Sequence, residues 1–341
     1  MPTGISVIVC CFNSANRLDP TLQHLVDQKN IPLSSWEVIL VDNCSTDGTS
    51  EKAAHLWASF NSAKPNFKIV AENTPGLSAA RHKGISESKF DYVLFCDDDN
   101  WLDENYLSIA VAIMQSNAGI GALGGTGSPV FEKNEPPYFW VNQYHALATG
   151  DQSTIDGDIT DERGVLYGAG MVLNKNAYRT LKEKFQFEFR VSDRINNSLI
   201  SSGDHELCLA LRKIGYRIFC SNRLKFKHYI PESRTKIVYY KKLFYGFGLS
   251  YAMLHVYRVN KNNFNSIKND YRYIALRCLK TIFLVNGKLL LNGYYLNSNK
   301  YRYLAQLHSL YNALGQFKAI IKVKNIYKRE FSALPLFKDN I

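Results

Sequence analysis

The first 115 residues alternate between short apolar runs and segments of helical spacing, and this repeated βα winding narrows the choice of fold more than any other feature. A chain wound in this way closes into a parallel sheet covered by helices on both faces. Ile5–Cys11 is continuously apolar, as expected of a strand buried on both sides. Asp19-Pro20 supplies an N-cap and a first-turn proline for a helix whose Leu18, Leu22, Leu25 and Val26 share one face. Further strands are expected at residues 36–41, 67–71 and 92–96, with helices after the polar turn at 42–48, over 77–86 and over about 103–115. Another helix is expected over 204–214, with Gly215 as its stop. Residues 119–170, which include Pro136-Pro137-Tyr138-Phe139-Trp140 and an acidic stretch at 151–161, read as long loops over a cleft.

At 341 residues the chain has room for one large domain or two smaller ones. Its 46% hydrophobic and 21% charged residues exclude disordered, collagenous and coiled-coil chains. The most apolar helical candidate, residues 273–291, is interrupted by Arg277, Lys280 and Lys288, so no membrane-spanning helix is expected. The N-terminus enters the first strand without a basic segment or a small-residue cleavage site, so a cytoplasmic location is expected, with peripheral contact on the inner face of the membrane as an option. Seven cysteines without a C-x-x-C pair suit reduced thiols, and neither a disulfide framework nor a zinc site is expected. The net charge of +11 is confined to the end: residues 256–341 carry 15 Lys+Arg against 3 Asp+Glu, and the remainder carries 26 against 27. This aromatic, basic region is expected to be helical from about residue 237. It should either lie on an anionic membrane surface or pack on the rest of the chain with a solvated basic face. No nucleic-acid module is present, and no nucleic-acid partner is expected.

In open parallel sheets, ligands bind beyond the carboxyl ends of the strands. Here those ends read Cys10-Cys11-Phe12-Asn13, Asp42-Asn43-Cys44-Ser45-Thr46-Asp47-Gly48 and Asp97-Asp98-Asp99-Asn100. Three adjacent carboxylates repel one another and raise each other's pKa. A hard divalent ion resolves the conflict, since Mg²⁺ takes one or two protein carboxylates and fills its shell with water and phosphate oxygens. The competing reading is a solvated turn that caps the following helix. The glycine-rich stretch 121–127 lacks the Lys-Ser/Thr of a P-loop and follows a helix, so it is not read as a phosphate loop.

Ser6-Val-Ile-Val-Cys-Cys-Phe-Asn13, Val41-Asp-Asn-Cys-Ser-Thr-Asp-Gly48, Gly76-Leu-Ser-Ala-Ala-Arg81 and Phe95-Cys-Asp-Asp-Asp-Asn100 resemble, in order and spacing, the successive signatures of family 2 glycosyltransferases. The resemblance continues through Gly168-Ala-Gly-Met171, Ser202-Gly-Asp-His-Glu-Leu207 and His228-Tyr-Ile-Pro-Glu-Ser-Arg234, and so spans about residues 4–250. It implies an α/β chain with the GT-A fold, a Rossmann-like and mostly parallel sheet with helices on both faces, followed here by a helical C-terminal region. It also implies a nucleotide-sugar donor (a UDP-sugar favoured), Mn²⁺ or Mg²⁺, inversion at the anomeric carbon, and a glycan or lipid-linked glycan acceptor. Capsule, O-antigen or exopolysaccharide assembly is the implied setting.

Carried over to this sequence, the resemblance places Cys10, Phe12, Asn13, Asp42 and Asn43 around the nucleoside, and Arg81 near the nucleotide or its phosphates. Asp97 and Asp98 fall where the ribose or the site is supported, Asp99 where the metal is bound, His228 as a further ligand or phosphate contact, and Arg234 on the diphosphate. The family often has Asp where Asn43 stands; an amide both donates and accepts, so it can still bond a pyrimidine edge. Asp204 is the candidate base, because an inverting transfer needs one carboxylate opposite the leaving diphosphate to take the acceptor's proton. The metal stabilises the departing phosphate on the other side. Competing readings make Asp204 a helix N-cap with Glu206 as the substitute base, Asp42 and Asp47 caps, Arg81 and Arg234 surface residues, and His228 structural.

The expected organisation is a catalytic domain over 1–236, its donor half about 1–118 and its acceptor half about 119–236, then the basic region 237–341. Trp140, Tyr144 and Tyr167 read equally as sugar-stacking surfaces or as core aromatics, and Arg190 and Arg194 are candidate contacts for an anionic acceptor. Two rival readings are a metal-dependent nucleotidyltransferase and a non-enzymatic, membrane-associated scaffold.

Overall fold

The computed structural model describes residues 3–133, 140, 143–191, 199, 202–258, 264–292 and 300–330. The winding begins with β1 (Ile5–Cys11), α1 (Leu18–Val26), β2 (Trp36–Asp42), α2 (Thr49–Ser59), β3 (Asn66–Ala71), α3 (Leu77–Glu87) and β4 (Tyr92–Asp97). β1 pairs in parallel with both β2 and β4, and β2 pairs with β3, giving the order β3-β2-β1-β4. The chain leaves β1 toward β2 and β3 and returns on its other side for β4. A topological switch point therefore opens between β1 and β4, with Cys10 opposite Asp97 in register. The continuous apolar runs serve two cores at once. Ile8, Ile39, Val41, Val93 and Phe95 face one cluster, while Val7, Val9, Val38, Leu40 and Leu94 face the other, following the two-residue period of a strand.

Beyond β4 come β5 (Asn100–Leu102), α4 (Tyr106–Ser116), β6 (Ile120–Phe131), β7 (Gly157–Asp158), β8 (Val172–Asn174), α5 (Lys175–Phe185), α6 (Gly203–Lys213) and β9 (Arg217–Ile230). The sheet extends through β8, β6, β9 and β5, with β7 on β9. β8 is antiparallel to β4 and β6, and β9 is parallel to β6 and antiparallel to β5. The 14-residue β9 matters most for the site, because its register sets His228 opposite Asn100, next to the acidic turn.

Three local expectations need correction. Residues 120–131, read as loop, form a strand that is buried throughout 120–125. Its glycines removed the apolar signal yet are needed there, since a Cβ on Gly125 would lie 2.3 Å from the Leu224 carbonyl oxygen and 2.8 Å from the Tyr106 hydroxyl. Asp19 lies in the first turn of α1, whose cap position is Arg17 without a side-chain cap bond. α4 starts at Tyr106, and Asp103 instead accepts a hydrogen bond from the Asn105 backbone N–H.

The chain ends in α7 (Glu232–Thr235), α8 (Ile237–Arg258), α9 (Phe264–Asn292) and α10 (Lys300–Glu330). α8 and α10 cross closely at Gly248 and Gly315, where a Cβ on either would come within 2.1 Å of a carbonyl oxygen of the other helix. Among the described residues, no helix is long and apolar enough to cross a membrane. We expect Gly125→Ala to lower unfolding free energy by about 3 kcal/mol, at the upper end for overpacking because backbone has to move; urea denaturation measures it.

Candidate functional site

A cavity of about 390 Å³ opens over the carboxyl ends of β1 and β4. Cys10, Phe12, Asn43, Arg81, Asp97, Asp98, Asp99, Asp204, His228 and Arg234 all line it, so one surface gathers residues from six separated signatures. Asn13 and Asp42 are not among its lining residues.

The acidic turn between β4 and β5 resolves its own repulsion by sending each carboxylate to a different guanidinium. Asp97 lies 4.0 Å from Arg81, which is buried with its guanidinium 4.9 Å over the Phe95 ring. Asp98 turns toward α1, where its Oδ2 accepts from Arg17 Nε at 2.9 Å and Nη2 at 2.7 Å and from the Ser14 hydroxyl. Its backbone oxygen accepts from Thr21 Oγ1 at 2.8 Å. Burial raises the Asp98 pKa and neighbouring Asp99 raises it further, with Arg17 and Ser14 opposing. Asp99 faces Arg234 Nη1 at 3.0 Å and His228 Nε2 at 3.3 Å, and its Oδ1 accepts from Asn100 Nδ2 at 3.1 Å. Burial works against the charge of Arg234, but Asp99, with help from Tyr239, Asp98 and Asp97, outweighs it and holds the guanidinium above its ordinary pKa.

Asp99 and His228 bring one carboxylate and one imidazole to a single spot, a donor set suited to Mn²⁺ or Mg²⁺ when phosphate oxygens and water complete the shell. Among the described residues no third His, Cys, Asp or Glu joins them. The His228 Nδ1 is buried without a hydrogen-bond partner, so the outer hydrogen bond that normally orients a metal-binding histidine is missing. The fit is thus to a metal held mainly by Asp99 and a diphosphate, with His228 beside it.

Asp204 also lines the cavity, from within the first turn of α6. Its Oδ2 accepts from the Gly168 N–H at 2.5 Å and its Oδ1 from the His205 N–H at 2.8 Å. The cap reading is corrected: the N-cap position belongs to Ser202, whose φ of 106° lies in the left-handed region, while Asp204 ties the turn at Gly168 to the helix. Glu206 is fully buried and accepts from the Arg190 and Val191 N–H groups at 2.9 and 3.0 Å and from the Tyr257 hydroxyl at 2.8 Å. It braces a loop against α8, which removes it as the substitute base.

At the nucleoside end, Phe12 is 58% exposed at the cavity lip, and burial pushes the Cys10 thiol up to about 12, partly offset by Arg81. The amide of Asn43 is engaged by backbone. Nδ2 donates to the carbonyls of Glu72 and Thr74 at 3.0 and 2.7 Å, and Oδ1 accepts from the Gly76 N–H at 2.8 Å. Asp42 accepts from the Ser45 N–H and the Ser50 hydroxyl, and Asn13, with φ 50°, accepts from the Thr46 N–H at 2.8 Å. These three residues shape the loops around the cavity. Of the two readings of Trp140 and Tyr167, the structure favours core aromatics: both are buried, Trp140 Nε1 donates to the Thr235 carbonyl, and the Tyr167 hydroxyl donates to the Gly150 carbonyl. Tyr144 is half-buried, and Arg194 lies outside the described residues. Arg17 and Tyr239, both cavity-lining, were not anticipated. Arg17 sits in an irregular loop with no motif, and Tyr239 is one of many tyrosines in the basic region.

The model of the family described as Glycosyl transferase family 2 matches residues 6–181. The chain belongs to this family. A cholesterol galactosyltransferase of Borreliella burgdorferi is 36% identical over 105 residues, which covers 31% of this chain and 27% of the relative. Glycosyltransferase AglE of Haloferax volcanii is 34% identical over 122 residues, covering 36% of this chain and 38% of the relative. The match therefore spans roughly a quarter to two fifths of these curated relatives. Among solved structures, a mannosyltransferase from Pyrobaculum calidifontis in complex with GDP-Man and Mn²⁺ superposes with TM-score 0.62 at 16% identity, over 97% of this chain and 89% of that one. S. aureus TarS 1-349 in complex with UDP-GlcNAc gives TM-score 0.55 at 18% identity, over 94% and 82%. At such identities the likeness is one of fold, and the fold of this family 2 member is GT-A.

Because Arg17 is the counter-ion of a buried carboxylate yet itself 37% exposed, Arg17→Met is expected to cost about 2 kcal/mol, less than for a fully buried pair. Asp98→Asn in the same chain should recover part of the loss, and a double-mutant cycle by denaturation measures the coupling.

Proposed function

We propose that the protein transfers one sugar, with inversion, from a nucleotide-sugar donor to a hydroxyl of a glycan or lipid-linked glycan, and that a UDP-sugar is the favoured donor. The observation that carries this reading is the single cavity that holds the Asp99–His228–Arg234 cluster and Asp204 together at the switch point of the sheet. Family membership supports it, as do the donors named for two proteins of the same fold, UDP-GlcNAc and GDP-Man.

In this reading Arg234 offers its planar fork to the diphosphate while Asp99 holds it in place from below. Arg81, buried and fixed over Phe95, adds a second cation at the phosphate end. A bound Mn²⁺ or Mg²⁺, held by Asp99 with His228 beside it, would supply Lewis-acid stabilisation of charge on the leaving diphosphate. Asp204 takes the proton from the acceptor hydroxyl. Each of its oxygens already accepts one backbone N–H and keeps a second lone pair for that proton, and the two N–H bonds fix the carboxylate's direction. Phe12 provides an apolar lip for the base. With the Asn43 amide engaged by the 72–76 backbone, base choice falls to main-chain groups of the same loops.

The test is release of nucleoside diphosphate from a panel of UDP- and GDP-sugars with Mn²⁺, with and without chelator. UDP release that chelator suppresses is expected, and Asp204→Asn should lower turnover roughly 10²- to 10⁴-fold while still binding UDP. Near-normal turnover of Asp204→Asn would remove the base. Pyrophosphate release from a nucleoside triphosphate would instead identify a nucleotidyltransferase.

A further inference from the structure

Ten large apolar side chains are exposed among the described residues, and five of them fall in one short stretch of α9: Tyr273, Leu276, Leu279, Phe283 and Leu284. Their spacing of three and four residues places them on one side of the helix. Phe283 is 82% exposed, Tyr273 68% and Leu276 66%, so the stripe is open along its length. The opposite side of α9 already has its partners. Tyr271, Ile274, Cys278 and Val285 are buried, with the Tyr271 hydroxyl donating to the Ala252 carbonyl of α8 and the Cys278 thiol meeting Gln316 of α10. The exposed stripe is therefore not a core face awaiting completion by α8 or α10.

Its charge decides what it fits. Arg272, Arg277 and Lys280 are exposed along the same stretch. No Asp or Glu occurs between Asp270 and Glu330, whereas eleven Lys and Arg do. A second copy of the chain is a poor occupant, because a twofold contact would press these cations against their own copies without a carboxylate to separate them. Nucleic acid would meet the cations but leave the leucine side chains and the phenylalanine ring without an apolar partner. An anionic bilayer satisfies both components, taking apolar side chains at the acyl boundary and cations among lipid phosphates.

We propose that the exposed face of α9, residues 272–284, docks the protein on an anionic lipid surface, its apolar stripe at the acyl boundary and its three cations among the lipid phosphates. Docking of this kind is peripheral and reversible, in keeping with a helix too charged to span. It also gives the basic end of the chain a function independent of the sugar-transfer site, so either reading can fail without the other.

Flotation of the full chain with vesicles tests it, using phosphatidylcholine alone against phosphatidylcholine with phosphatidylglycerol. Binding is expected only with phosphatidylglycerol and should weaken as salt rises. Leu276→Glu with Phe283→Glu should weaken binding at least about tenfold, and each of Arg272→Gln and Lys280→Gln about fivefold. Circular dichroism melting should be unchanged, since these side chains are exposed. Equal binding to neutral vesicles, or unchanged binding of the double Glu variant, would overturn the proposal. So would a wild type that ignores vesicles but sediments as a dimer that the double Glu variant breaks, which would assign the face to a second copy.

Discussion

The site rests on a packing of like charges that would be untenable alone. Asp97, Asp98 and Asp99 follow a buried strand without a spacer, and Asp98 and Asp99 are almost excluded from solvent. Three arginines from distant parts of the chain make this tolerable, each addressing one carboxylate: Arg81 from α3, Arg17 from the loop after β1 and Arg234 from α7. Desolvation and mutual repulsion would otherwise protonate part of the cluster, and a protonated Asp99 would be a poor partner for either Arg234 or a cation. The charged turn is thus the product of the whole fold.

The topology explains why those partners arrive together. The switch point between β1 and β4 leaves a crevice at the strand ends, and α3 opens into it with Arg81. The long β9 then crosses beside β5 and delivers His228 and, through α7, Arg234 to the same turn. Asp204 reaches the crevice from another direction, at the start of α6, and is tied back to it through Gly168. Two residues further on, Glu206 binds the loop at 190–191 and Tyr257 of α8, so the helical end of the chain grips the same helix that carries the candidate base. The C-terminal helices are in this way mechanically continuous with the site.

Much of this was legible in the sequence, for identifiable reasons. β1, β2 and β4 were readable because strands buried on both faces must be apolar throughout, and the polar strand ends marked the site because little else places carboxylates after such runs. β6 was hidden because its glycines, needed for close approach to Leu224 and Phe226, replaced the apolar residues that signal a strand. The division of labour among polar residues was also out of reach. Asn43, Asp42 and Asn13 sit in the right motifs but spend their hydrogen bonds on neighbouring loops, and the sequence does not say whether Trp140 and Tyr167 face a sugar or fill the interior, as they do. Which partner a side chain chooses depends on contacts between separate loops, such as Asn43 with the carbonyls of Glu72 and Thr74 or Ser14 with Asp98, that spacing does not encode.

In the proposed function Asp99, flanked by His228 and Arg234, is where a cation and a diphosphate meet. Anomalous diffraction at the manganese edge, on crystals grown with UDP and Mn²⁺, tests it most directly. An anomalous peak in coordination contact with the Asp99 carboxylate and a phosphate oxygen, with Arg234 on the diphosphate, is the expected result. A peak elsewhere on the protein, or UDP bound with Asp99 still on Arg234 and His228 and no manganese beside it, would contradict it.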